Sequence, residues 1–205
     1  MFAIVESGSI TSYPKGNKGI KIGDYNYPPA VFTLWSESER NAIGVYTVEI
    51  NETNKKDEAW YINTNMTYAF GSGKVTGTYG TATAKPISDV KWTQSEIDAN
   101  EAPSGADTNT IKTIGLKTTY KEQIDNDCAG ILKPSDWRVI KEQETGDAMD
   151  SGWKTWRGNV RTKCNSMQTQ IDNAADMDAL AALFTYTKQE DNSITRPLGE
   201  FPVKE

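Results

Sequence analysis

The chain has 205 residues, 24% charged and 37% apolar, with a net charge of −6 and a pI near 4.9. That length suits one large domain or two small ones, and the composition is that of a polar globular chain. Before Gly105 there are 9 basic and 12 acidic residues and from it onward 13 and 16, so each part carries −3. No face concentrates basic charge, which argues against nucleic-acid binding. No apolar run approaches the roughly 20 residues of a spanning helix, which argues against a membrane segment. The start, Met1 to Glu6, lacks the basic and apolar regions of a signal peptide.

Residues 1–50 read as a small α/β unit. Phe2, Ile4 and Ile10 flank Glu6-Ser-Gly-Ser9, a hairpin pattern. Ile20 and Ile22 alternate like a short strand among glycines, and Tyr25 to Pro29 is extended. Ser36 with Glu39 predicts a capping box on a helix over 37–43, ended by Gly44. Val45 to Ile50 then returns as a strand.

Residues 51–99 read as a β-hairpin region. After a polar loop, Trp60 to Phe70 is rich in aromatic and β-branched residues, and threonines recur at 76, 78, 81 and 83. Gly71-Ser-Gly-Lys74 resembles a fragment of a phosphate loop. It lacks the first glycine at the required spacing and the following Ser or Thr, so a glycine turn between two strands is expected. Val90 and Trp92 close the region, and Ser95 begins a helical turn. Residues 100–109, Asn-Glu-Ala-Pro-Ser-Gly-Ala-Asp-Thr-Asn, have linker composition and are the expected domain boundary.

Beyond them the apolar period changes from 2 to 3.6, which predicts a helical bundle of three to four helices over 110–185. Leu116, Tyr120, Ile124, Cys128 and Ile131 mark one face of the first helix. Pro134 should stop it near Lys133, and Ser135 should cap the next helix by accepting a backbone N–H. Asp136 suits the positive end of that helix, and Gly146 suits its left-handed end. Trp153, Trp156, Val160, Cys164, Met167 and Ile171 form a stripe at steps of three and four on a longer helix, with Arg157 and Arg161 beside it. Asp176 caps a last helix through Leu180, Leu183 and Phe184. Residues 186–205 show no helical period and read as an extended tail. The whole is an α+β chain, with a β-rich N-terminal part and a helical C-terminal part.

Chemistry-bearing patterns are sparse. The chain has no histidine, the commonest general base and metal ligand. Asp125 and Asp127 fall on different sides of a helix, and Asp172, Asp176 and Asp178 surround a helix joint where Asp usually caps. No catalytic, cofactor or metal residues are expected, and the chain reads as a non-enzyme. Cys128 and Cys164 sit at apolar helical positions. Free buried thiols are expected, and a disulfide between the two helices stays open as an alternative. Periodic tryptophans are ordinarily core, with arginines as a solvated flank. Trp and Arg are also favoured interface anchors. On that second reading the partner-binding residues are Trp137, Arg138, Trp153, Trp156, Arg157, Arg161 and Phe201. The three tryptophans are expected to pack together or against the helix bearing Tyr120 and Ile124.

Several of these segments carry a family resemblance. The start Met-Phe-Ala-Ile-Val-Glu-Ser-Gly is similar to that of many small phage tail-associated proteins, as is Tyr-Pro-Pro-Ala-Val-Phe-Thr-Leu-Trp-Ser followed by Gly-Val-Tyr-Thr-Val. Asp136, Trp137, Arg138, Glu144, Arg157, Val160 and Arg161 match a pattern of phage tail-fibre assembly proteins and tail assembly chaperones, with Trp156 where tyrosine is more common. These regions span roughly half of the chain, and 51–105 lies outside them. The resemblance implies a structural component of a bacteriophage tail, docking near tail fibres or baseplate; the alternative is a tail-fibre assembly chaperone that leaves the mature virion. It further implies fibre, baseplate or adaptor proteins as partners, an oligomer within a symmetric assembly, and a place in the virion tail after assembly in the host bacterial cytoplasm. On this reading the threonine-rich hairpins and residues 196–203 would lie against neighbouring chains.

Overall fold

The computed structural model describes residues 1–204. The chain is α+β and divides into two compact units, Met1–Thr83 and Ala84–Glu205. The first is strand-rich and the second carries the helices.

In the first unit β1 (Phe2–Glu6) and β2 (Ser9–Ser12) form the expected hairpin, with Ser7 and Gly8 both at positive φ. That pair of conformations matches the right-handed twist of the flanking strands. β3 (Ile20–Ile22) pairs with β4 (Tyr25–Tyr27), and a 3-10 turn follows at Pro29–Phe32. α1 (Glu37–Ala42) has the predicted box: the Glu39 N–H donates to Ser36 Oγ at 3.3 Å, and the Ser36 N–H donates to the Glu39 carboxylate at 2.8 Å. The Ser36 hydroxyl, donating to the same carboxylate at 2.7 Å, and the Ser36 N–H hold the Glu39 carboxyl below its usual range. Gly44, at φ 85°, turns the chain into β5 (Val45–Asn51).

β6 (Tyr61–Ile62) is followed by β7 (Met66–Gly71) and β8 (Lys74–Tyr79), joined by a turn with Ser72 and Gly73 at positive φ. The Gly71–Lys74 segment is therefore the glycine turn expected. The main sheet runs β2-β1-β5-β8-β7, and β5 and β8 are parallel, with Val48 beside Val75. Hairpin signals are local, so the sequence pattern carries no trace of this parallel pair.

Both faces of the sheet are covered. Ala3, Val5, Val48 and Val75 form one core, with Tyr46, Tyr68 and Phe70 against it. Ile4, Val31, Phe32 and Val45 form the other. A bulge between Ile4 and Val5 lies within β1, where three successive residues are buried. The edge strands bend toward each other, with the Tyr13 and Tyr68 rings 5.1 Å apart.

β9 (Thr83–Ala84) straddles the division between the units. In the second unit β10 (Val90–Lys91) pairs with β11 (Ile111–Thr113), and α2 (Gln94–Asp98) lies between them. Residues 100–109 are thus a loop inside a hairpin, whereas the sequence reading made them an inter-domain linker. Side-chain anchoring is the physical reason. Asp107 Oδ1 accepts from the N–H groups of Asn109 and Thr110, and Lys112 Nζ reaches Glu96 at 2.5 Å. The Lys112 hydrogen bond and the Thr93 N–H lower the Glu96 carboxyl to about 2. Polar, glycine-bearing sequence is common to linkers and to anchored loops, so composition did not separate them.

Four helices follow: α3 (Leu116–Leu132), α4 (Asp136–Thr145), α5 (Ser151–Asn173) and α6 (Met177–Phe184). Gly146 ends α4 at φ 76°, Asp150 Oδ1 accepts from the Gly152 and Trp153 N–H groups, and Asp176 caps α6 through the Ala179 N–H. α3 and α5 pack antiparallel through Ile124, Cys128, Val160, Cys164 and Met167, all buried. The expected stripe on α5 is therefore core from Val160 to Ile171. β12 (Thr187–Lys188) and β13 (Ile194–Thr195) form a last small hairpin.

Candidate functional site

The segment joining α3 to α4 is where the polar chemistry of the helical unit gathers. α3 ends at Leu132, and a 3-10 turn over Lys133–Ser135 leads directly into α4. Ser135 is the N-cap residue but makes no side-chain cap. Its hydroxyl instead donates to the Leu132 carbonyl at 2.7 Å and accepts from Arg157. The expected serine cap is corrected accordingly: with the preceding residues already helical, Ser135 sits at φ −107°, ψ 0° rather than in the extended conformation of a capping residue.

Arg157 is buried, contrary to its reading as a solvated flank or partner anchor. One terminal nitrogen donates to the Leu132 carbonyl at 2.9 Å and to Ser135 Oγ, and the other meets Asp136 Oδ1 at 2.7 Å. The guanidinium thus adds a second donor to the Leu132 carbonyl, which also accepts from the Ser135 hydroxyl, and a donor to that hydroxyl oxygen. A buried charge demands such partners, and Asp136 provides the countercharge at the surface end. Arg157 is a brace between α5 and the joint.

Around this brace lies an aromatic cluster. The Arg138 guanidinium lies between two rings, 4.5 Å from the Trp137 centroid and 4.4 Å from that of Trp153. Trp153 meets Trp156 edge-on at 5.5 Å, and Lys204 Nζ lies 5.3 Å from the centroid of the Trp153 ring. The tryptophans do associate, but Arg138 mediates the contact of Trp137 with Trp153. Tyr120 stacks elsewhere, on Phe184 at 4.4 Å. Trp153 and Trp156 are half-buried, and Arg161 is exposed.

α4 itself buries no residue. Trp137 and Ile140, one turn apart, are each 54% exposed. Ile140 was not among the residues expected to bind a partner. Its three-residue spacing from Trp137 was the available signal.

The C-terminal tail packs on its own helices, which corrects the expectation that residues 196–203 lie across a neighbour. Leu198 is completely buried. Its N–H donates to the Leu183 carbonyl at 3.1 Å, and its carbonyl accepts from Lys163 Nζ at 2.8 Å. The Trp156 indole N–H donates to the Pro202 carbonyl at 2.9 Å. Gly199, at φ 73°, provides the turn between these contacts. Phe201 is half-buried within this clasp. Open clefts of about 350 and 450 Å³ flank it, lined by Thr155, Asn159, Ser166 and Pro202 among others. No group of three or more His, Cys, Asp or Glu side chains able to hold a metal occurs among the described residues.

A protein of Mycoplasma pneumoniae (strain ATCC 29342 / M129 / Subtype 1), described as an uncharacterized lipoprotein, is 32% identical over 111 residues. Those residues are 51% of this chain and 74% of that protein. The chain belongs to the same family as this lipoprotein. No protein-family model matches the chain, and no solved structure does.

Proposed function

We propose that the protein is a structural component of a bacteriophage tail that binds fibre, baseplate or adaptor proteins, with α4 as its docking helix. One observation carries the choice of helix: α4 turns Trp137 and Ile140 outward and contributes no residue to the core. A tryptophan held by a neighbouring arginine is a low-entropy anchor of the kind that dominates protein interfaces. The resemblance of Asp136 to Arg161 to tail-fibre assembly proteins supports the tail as the setting. The role is binding rather than catalysis.

Mass spectrometry of purified particles tests this. The protein is expected at a stoichiometry matching the symmetry of a tail substructure. Absence from particles, with co-purification of a fibre protein from infected cells, would replace the virion role by that of an assembly chaperone. Kinship with a lipoprotein favours a second reading, an interaction domain displayed at a cell envelope. Recovery in the envelope fraction of uninfected cells would support it.

A further inference from the structure

The α3–α5 interface places the two cysteines of the chain face to face. Its register is fixed by polar contacts along its length. Arg157 reaches Leu132 at one end, and at the other Lys117 donates to the Asp172 carbonyl at 2.8 Å while Lys121 pairs with Asp172 Oδ1 at 2.8 Å. Midway, Gln168 donates to Asp125 at 2.5 Å, and the Cys164 thiol donates to the same carboxylate at 3.5 Å. Each contact steps down α5 as it steps up α3, and Cys128 falls opposite Cys164, one turn from Asp125. The two thiols are buried and free, and the antiparallel register sets them opposite each other.

We propose that Cys128 and Cys164 form a disulfide site that joins α3 to α5 when the protein meets a small-molecule disulfide such as oxidised glutathione. The Cys128 thiolate attacks one sulfur of the oxidant, forming a mixed disulfide and releasing one glutathione thiolate. The Cys164 thiolate then attacks the Cys128 sulfur, forming the inter-helix S–S bond and releasing the second. The two protons lost by the cysteines end on the two glutathiones, so two thiols are oxidised and one disulfide is reduced. In the closed fold, burial, the Cys128 contact and Asp125 push the Cys164 thiol up to about 12. Reaction therefore waits for the helices to part, and the bond once made holds them together. Tethering residues so far apart in sequence restricts the unfolded chain.

The test is to incubate the full chain with oxidised glutathione, with and without sub-denaturing urea, followed by intact mass and non-reducing gels. The expected product is an intrachain crosslink that has lost one hydrogen from each thiol and forms faster in urea. Dithiothreitol reverses it, and the melting temperature rises by about 10 °C. Cys128→Ala and Cys164→Ala should each abolish the crosslink and leave a single glutathione adduct. Stable adducts at both cysteines of the natural chain, crosslinks between chains only, or no crosslink in urea would each overturn the proposal. So would a crosslinked product that melts no higher than the reduced protein.

Discussion

α4 and the C-terminal tail reverse the usual relation between backbone regularity and burial. α4 is a full helix with a left-handed glycine end, yet it buries nothing and turns Trp137 and Ile140 to solvent. Residues 196–204 have no regular structure, yet this stretch buries Leu198 completely and fixes its carbonyls on Lys163 and Trp156. A helix satisfies its own backbone groups and so can stand exposed. An irregular segment needs partners for those groups, and here the side chains of α5 provide them. Of two segments with similar docking signals, the structure leaves one available and occupies the other.

Truncation after Tyr186 breaks the contrast most severely. It removes Leu198 from the core and leaves the Trp156 N–H and Lys163 without their carbonyl acceptors, so the helical unit should lose about 4 kcal/mol or more. Urea denaturation followed by circular dichroism measures this, and a truncated protein of unchanged midpoint would return the tail to the role of a free arm. Next comes Arg157→Ala, which takes the donor from Ser135 Oγ, leaves the Leu132 carbonyl only the Ser135 hydroxyl and opens a void at the joint. A loss of about 3 kcal/mol is expected in the same assay. Asp136→Asn should cost less than about 1 kcal/mol, because Asp136 faces solvent.

On the exposed side, Arg138→Ala removes the cation between Trp137 and Trp153. The expected cost is about 1 kcal/mol, with a change in tryptophan emission as Trp153 loses its cover. Smallest in stability is Trp137→Ala, within about 0.5 kcal/mol. Its effect should appear instead in binding, as a loss of at least about tenfold in affinity for the proposed tail partner. A large stability loss with intact incorporation into particles would make Trp137 a packing residue and remove α4 from the docking role.

Local rules made much of the fold legible. Positive-φ turns at Ser7-Gly8 and Ser72-Gly73, the Ser36–Glu39 box and the Asp176 cap each depend on a few adjacent residues, and each is present. The stripe from Val160 to Ile171 is core because a helical period reports which residues share a face. The candidate site was less legible. Periodicity marks the large side chains of a face but does not rank their burial, so the half-buried tryptophans and the fully buried Met167 looked alike. Arg157 read as a flank because a charge beside an apolar stripe is ordinarily solvated. Its burial depends on oxygens that come from another helix joint more than 20 residues away.

What the sequence by itself determined was the α+β division, the turn and cap residues, and the apolar faces, because these follow from short-range sterics and hydrogen bonds. Tertiary structure alone decided the parallel β5–β8 pair, the partners of Arg157, the docking of the tail and the facing cysteines. Each joins residues distant in sequence, and their pairing follows from how whole elements pack rather than from any local pattern.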